Sequence, residues 1–171
     1  MIIDSIWGNI FKAEKKDPGG ILAILKKVPI FEELDGSDLI HIKRILHRRQ
    51  YAYDEIIFRQ GDPGLGMYII ESGIVSIINE PSLQPLAELS DGEFFGELSL
   101  LDDSPRTATA ISKSDCSMLC FFQPDLLDIL ERNPRLGVKI LVQLARTLGA
   151  RLKKSNDTIY MLRSGRLSED E

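Results

Sequence analysis

The chain has no apolar run approaching the roughly 18 residues that would span a bilayer. Its first residues, Met1-Ile-Ile-Asp-Ser-Ile-Trp, lack a basic stretch and a small-residue cleavage site, so they do not read as a signal peptide. Both absences point to a cytoplasmic protein. Histidine is scarce: His41 and His47 are placed on one predicted helix, six residues apart and not on a common face. There is no Ser/His/Asp set, no phosphate-binding P-loop and no metal-ligand spacing, so neither an enzyme nor a metal site is expected. The two cysteines, Cys116 and Cys120, lie in a predicted strand where even spacing turns both to one face. A metal pair there would need further His or Cys nearby, and none follows. They read as reduced packing thiols. Internal repeats and low-complexity linkers are also missing.

Positive charge is nearly absent from the middle of the chain. From Gln50 to Glu131 there are 3 Lys/Arg against 15 Asp/Glu, a balance of −12. From Arg132 to Arg166 there are 9 against 1, a balance of +8. A basic arm can mark a nucleic-acid contact or the solvated face of a long helix that pairs with its own acidic body, and the second is favoured. Arg106 is the only cation between Arg59 and Lys113. A lone Arg in an acidic neighbourhood suits an anionic ligand. A phosphate held by Arg106 and backbone N–H groups, with Glu97 accepting from a sugar hydroxyl, is the expected arrangement.

What is present is one folded unit with appended helices. The 171 residues fit a single domain, and the 43% apolar fraction is ordinary for a packed core. Residues 2–14 have helical periodicity through Ile3, Ile6, Trp7 and Ile10, and Asp17-Pro-Gly-Gly ends the segment. Three roles are open for that amphipathic helix: docking on its own domain, binding a partner protein, or lying on an anionic membrane. Ile21 to Lys27 reads as a second helix. Ser37 is the expected cap of a third, running to about His47. From Tyr51 to Phe122 short β-rich runs alternate with glycines: Ile56–Phe58, Met67–Ile70, Ile74–Ile78, Leu86–Leu89, Thr107–Ile111 and Met118–Phe122. Such spacing predicts an antiparallel barrel or sandwich. Helical periodicity returns at Pro124. After Asn133-Pro134 the longest helix begins, with Leu136, Ile140, Leu144, Leu148 and Leu152 every fourth residue. That stripe is wide enough for a homodimer seam, or it packs on the chain's own barrel.

The stretch Phe94 to Ala110, FFGELSLLDDSPRTATA, resembles the phosphate-binding cassette of the cyclic-nucleotide-binding domain family, whose pattern runs F-G-E-[LIV]-[AS]-L, a short loop, then P-R-x-A. Phe95, Gly96, Glu97, Leu98, Ser99 and Leu100 meet the first part. Pro105, Arg106, Thr107 and Ala108 meet the second. Arg59-Gln-Gly-Asp-Pro-Gly and Met67-Tyr-Ile-Ile-Glu-Ser-Gly look like that family's barrel turns and strands, and the resemblance covers about residues 28 to 155.

The resemblance implies a jelly-roll β-barrel of the double-stranded β-helix type. N-terminal helices at 1–27 would precede a barrel at 28–133 that carries the cassette at 94–110. A C-terminal helix and tail at 134–171 would follow. It implies no cofactor but a ligand, a 3′,5′-cyclic nucleotide, with cyclic AMP favoured over cyclic GMP. Gly96, Glu97, Leu98, Ser99, Arg106 and Thr107 would hold phosphate and ribose. Ile77, Leu86 and Leu89 would wall the purine. Thr at position 107 occurs in cyclic-GMP-responsive and cyclic-AMP-binding relatives alike.

The chain departs from the dimeric bacterial activators at the place of their base-reading Thr-Ser pair, where Arg151 and Leu152 stand. Leu152 could cap a base, and Arg151 could stack on it or pair with an acidic barrel residue. Those activators continue into a winged helix-turn-helix, and none is expected before Glu171. The implied role is a sensor signalling through its helices to an unidentified protein partner. The other reading is an interaction or scaffold protein that keeps the fold without a ligand.

Overall fold

In a computed structural model of the protein, residues 20–80 and 84–167 are described. The predicted helix over residues 2–14 lies outside them. The first described elements are α1, Gly20–Leu25, and a single 3₁₀ turn, Pro29–Phe31. Helix α2 runs from Gly36 to Ile45. Its cap is Asp35 rather than the predicted Ser37. The Asp35 carboxylate accepts from the N–H groups of Ser37 and Asp38, both at 2.9 Å, satisfying two donors that an α-helix start leaves free. The Ser37 hydroxyl donates to the same carboxylate.

Helix α2 also stops short of His47. Leu46 turns extended, with ψ 138°, and His47–Tyr51 becomes strand β1, paired with residues 116–120. His41 and His47 therefore sit on different elements. The sequence His-Arg-Arg-Gln-Tyr gives no alternating apolar signal because β1 is an edge strand whose side chains are largely wet. The remaining strands are β2 (Ile56–Phe58), β3 (Gly66–Ser72), β4 (Val75–Asn79), β5 (Gln84–Leu89), β6 (Phe94–Phe95), β7 (Thr109–Ser112) and β8 (Cys116–Phe122). They form two antiparallel four-stranded sheets, β1-β8-β3-β6 and β2-β7-β4-β5. This is the jelly-roll-like sandwich expected, with helices before it and a long helix after it.

Period-two alternation divides the core into two layers. On β3, Met67 and Ile69 face the helices, while Tyr68 and Ile70 face the second sheet. On β8, Leu119 and Phe121 join the helical side, and Cys116, Met118 and Cys120 the inter-sheet side. On β6, Phe94 goes to the helices and Phe95 to the sandwich. Each large apolar side chain so withdrawn from water contributes about 1.5–3 kcal/mol. Both cysteines are free and buried on one face, as their spacing requires. Burial pushes the Cys120 thiol up to about 12.

Helices α3 (Gln123–Arg132) and α4 (Pro134–Leu167) close the helical layer. Leu136, Ile140 and Leu144 are fully buried against the chain's own helices and first sheet, and Leu148 packs at the edge of that cluster. The first three residues of the expected dimer stripe are therefore intramolecular core. The reason is the 3₁₀ turn Pro29–Phe31, which presents Ile30 and Phe31 to this face of α4. The basic side chains of α4 are partly paired as well. Lys139 meets Asp38 at 2.6 Å and Arg146 meets Glu33 at 2.7 Å, so these partners lie on the N-terminal helical segment rather than on the barrel. From Gly149 to Ser164 every residue of α4 is exposed.

Candidate functional site

Strand β6 delivers the chain to Gly96, whose φ of +75° is left-handed and starts the 3₁₀ turn Glu97–Leu100. A Cβ there would lie 2.6 Å from Nη1 of Arg106, so both conformation and space require glycine. The turn packs against β3 and leaves Glu97 and Ser99 buried.

Arg106 arrives from the other side. Its N–H donates to Asp62 O at 2.8 Å, and its C=O accepts from Gly61 N at 2.9 Å, which pins it to the turn before β3. The side chain is only 6% exposed. Its guanidinium carbon sits 4.1 Å from the centre of the Phe58 ring and 5.6 Å from that of Tyr68. A guanidinium has five N–H donors. Nη1 donates to Gly96 O and Ser99 Oγ, and Nη2 to Gly66 O, which uses three of them. Nε is buried without an acceptor among the described residues. Among the described residues no carboxylate forms an ion pair with Arg106. Burial pulls its pKa below the ordinary Arg value, while Tyr68, Asp62 and Glu97 oppose that shift.

Glu97 has its counter-charge from elsewhere. Its Oε1 accepts from Nη1 of Arg151 at 2.6 Å. Arg151 reaches down from α4, donates also to Phe94 O at 3.3 Å and lies over the Phe94 ring, 4.7 Å from its centre. The carboxylate is 7% exposed and Arg151 47%, so the pair straddles the boundary between interior and solvent. Among the described residues Oε2 of Glu97 makes no hydrogen bond.

These groups line a cavity of about 510 Å³. Gly96, Glu97, Leu98, Ser99, Arg106 and Thr107 all face it, and so do Ile77, Leu89 and Arg151. Leu86 and Leu152 do not. Leu86 is 61% exposed because alternation on β5 turns Ala87 and Leu89 inward instead. Leu152 is 64% exposed, since adjacent helix positions point about 100° apart and Arg151 takes the inward one. On the lining the sequence reading missed Phe58, Ala87, Phe94, Asp102 and Ser104, and it named Phe95, Pro105 and Ala108 as cassette positions without giving them a role in the site. Ala87 was recoverable by counting two back from Leu89. Nothing local to Phe58 signals that its ring backs a guanidinium 48 positions later. Among the described residues no three His, Cys, Asp or Glu side chains are grouped to hold a metal ion, and no helix is long and apolar enough to cross a membrane.

The chain resembles known proteins along most of its length. Residues 48–133 match the model of the cyclic nucleotide-binding domain. A cyclic AMP receptor protein of Thermus thermophilus is 34% identical over 127 residues, 72% of this chain and 59% of that protein. The chain thus spans less than two thirds of that relative's length. A cyclic nucleotide-binding domain from Methylobacillus flagellatus superposes with a TM-score of 0.73 at 26% identity, over 82% of this chain and 81% of the other. The N-terminal domain of a transcriptional regulator from Streptomyces coelicolor gives 0.67 at 30% identity, over 79% and 93%. Taken with the two sheets and the Gly96–Arg106 turn, these matches mean that the chain belongs to the cyclic nucleotide-binding domain family.

Proposed function

We propose that the cavity binds a 3′,5′-cyclic nucleotide and that its occupancy is passed through the flanking helices to a protein partner. One observation carries this reading. Arg106 is buried beside the cavity with no ion-pair partner among the described residues and with an unpartnered Nε. A buried guanidinium without a counter-ion is costly, by several kcal/mol per uncompensated charge. An anion entering the cavity removes that cost. Phosphate suits it best, because Arg offers it a planar set of donors. The unbonded Oε2 of Glu97 is an acceptor for a ribose hydroxyl. Ile77, Ala87 and Leu89 supply an apolar wall for a base. The volume lies within the roughly 300–1,000 Å³ of small-molecule sites.

Cyclic AMP is the first choice, in keeping with the Thermus relative's name. Cyclic GMP is the second, because the hydroxyl of Thr107 lines the cavity and makes no hydrogen bond among the described residues, leaving it able to meet a guanine amino group. Calorimetric titration of the purified protein with each nucleotide tests both. Saturable binding of either supports the sensor reading. Binding of neither leaves an interaction protein that keeps the fold.

A homodimer through α4 belongs to the same reading, with a seam different from the predicted stripe. Val138, Val142, Ala145, Gly149, Leu152 and Ile159 are exposed at spacings of four, three, four, three and seven, the pattern of a two-stranded coiled coil. Asn156 fills the remaining position, where a polar side chain fixes register.

A further inference from the structure

The cavity holds two opposite charges that do not pair. Glu97 and Arg106 both line it, and Glu97's charge already acts favourably on Arg106, yet no carboxylate oxygen of Glu97 comes within 4.0 Å of the guanidinium. Left to themselves, a buried carboxylate and a buried guanidinium in one low-dielectric pocket attract strongly. Their direct pairing would cancel the charge that Arg106 offers to an anion. Arg151 supplies Glu97 with another cation. The bond is short, and the Arg151 side chain is steadied by Phe94 O and the Phe94 ring. Arg151 is also the α4 residue that lines the cavity, since its neighbour Leu152 points to solvent.

We infer that Arg151 is a positioning residue: it holds the Glu97 carboxylate by Oε1, keeps it off Arg106, and so preserves Arg106 for the anionic group of the ligand and Oε2 for a hydroxyl donor. The inference rests on the nucleotide reading of the cavity given above. It differs from a role in binding the base, because Arg151 acts through Glu97. It also differs from a purely structural clamp on α4. A clamp's effect would not depend on whether residue 97 carries a charge. The effect of Arg151 does. Without Arg151, an ionised Glu97 turns to Arg106 and the ligand's phosphate must displace it. Once Glu97→Gln has removed that charge there is no anion to turn, and Arg151 becomes dispensable for Arg106.

The test is a four-way comparison of cyclic nucleotide affinity in the full chain: parent, Arg151→Ala, Glu97→Gln and the double variant, with Arg151→Lys alongside. Arg151→Ala is expected to weaken binding about tenfold, or about 1.4 kcal/mol. Adding Glu97→Gln to it should cost nothing further and bring affinity back to that of Glu97→Gln alone. Arg151→Lys should retain most of the parent's affinity, because an ammonium can also neutralise Glu97. Parent-like binding by Arg151→Ala, or independent losses that simply add in the double variant, would overturn the inference. A ligand-free crystal structure of Arg151→Ala gives a second readout that needs no nucleotide. The Glu97 carboxylate is expected within about 4 Å of the Arg106 guanidinium. A carboxylate that stays where Arg151 had held it refutes the inference. If the parent binds no cyclic nucleotide, the functional reading fails, and this structure still decides the positioning role.

Discussion

Replacing Arg106 by Met separates the cost of losing a ligand from the cost of losing a fold. Met keeps an unbranched stem against the Phe58 and Tyr68 rings and removes the charge and the donors. In the ligand-free protein two terms oppose. Three hydrogen bonds disappear, at about 1 kcal/mol each, so about 3 kcal/mol. Against that, a buried guanidinium with no counter-ion no longer has to be desolvated, a relief of several kcal/mol. The two nearly offset, so the midpoint of urea unfolding should shift little. Binding has no such compensation. Truncating one partner of a buried charge pair costs about 2–5 kcal/mol, which at 1.4 kcal/mol per tenfold is a loss of about 30-fold to several thousand-fold. Calorimetry with cyclic AMP and cyclic GMP reads the affinity, and urea unfolding without nucleotide reads the fold. A variant that binds as tightly as the parent would show that the phosphate does not meet Arg106. A variant that unfolds outright would show that the guanidinium is structural cement rather than a waiting counter-charge.

Further outcomes are expected elsewhere. Gly96→Ala must hold a left-handed φ and push against Nη1 of Arg106, so urea unfolding should show a loss of at least about 1–2 kcal/mol. Leu144→Ala opens a hole in the helical core, and the expected destabilisation is about 2–5 kcal/mol in the same assay, a size that a surface position would not give. Val142→Glu with Leu152→Glu should reduce the sedimentation mass from dimer to monomer while the chain stays folded, lowering the unfolding midpoint only by the association it removes. A parent that is already monomeric at micromolar concentration would dispose of the α4 seam. Cys120 should resist iodoacetamide at pH 8 until the protein is unfolded. Because burial raises its pKa from 9.0 to about 12, the stability tied to the protonated thiol is complete below pH 9 and lost as pH rises from there toward 12.

The legible parts of this chain are those governed by local pattern. Short β-rich runs set between glycines located six strands, because strands such as β3 and β8 are buried on both faces and read as nearly continuous apolar runs. Strand β1 escaped, since an edge strand of His, Arg and Gln carries no apolar rhythm, and its first residue, His47, falls at the end of the predicted helix. Strand β6 escaped because two residues are too few to show a period. The cassette could be read residue by residue from Phe95 to Ala108, and its named members line one cavity except Leu100, which is buried in the helical core. Partnership across the fold was not legible. That Arg151 would choose Glu97 depends on where α4 crosses β6. That Leu136, Ile140 and Leu144 would pack inward while Val138 and Val142 stayed outside depends on Pro29–Phe31 having claimed one face of α4 first. A single stripe on a helix says how wide an apolar face is, not which body covers it.

The far half of α4 makes the molecule a lever. Among the described residues packing holds this helix as far as Leu148, and Arg151 is the next point at which it touches the body. From Arg151 to Leu167 the axis runs on for about 24 Å at 1.5 Å per residue. A tilt of about ten degrees about that contact carries the tip through about 4 Å, while Arg151 itself barely moves. A displacement at Glu97 too small to disturb the barrel would therefore be magnified at the distal end. A contact made at that end would need no view of the cavity to register what happens inside it.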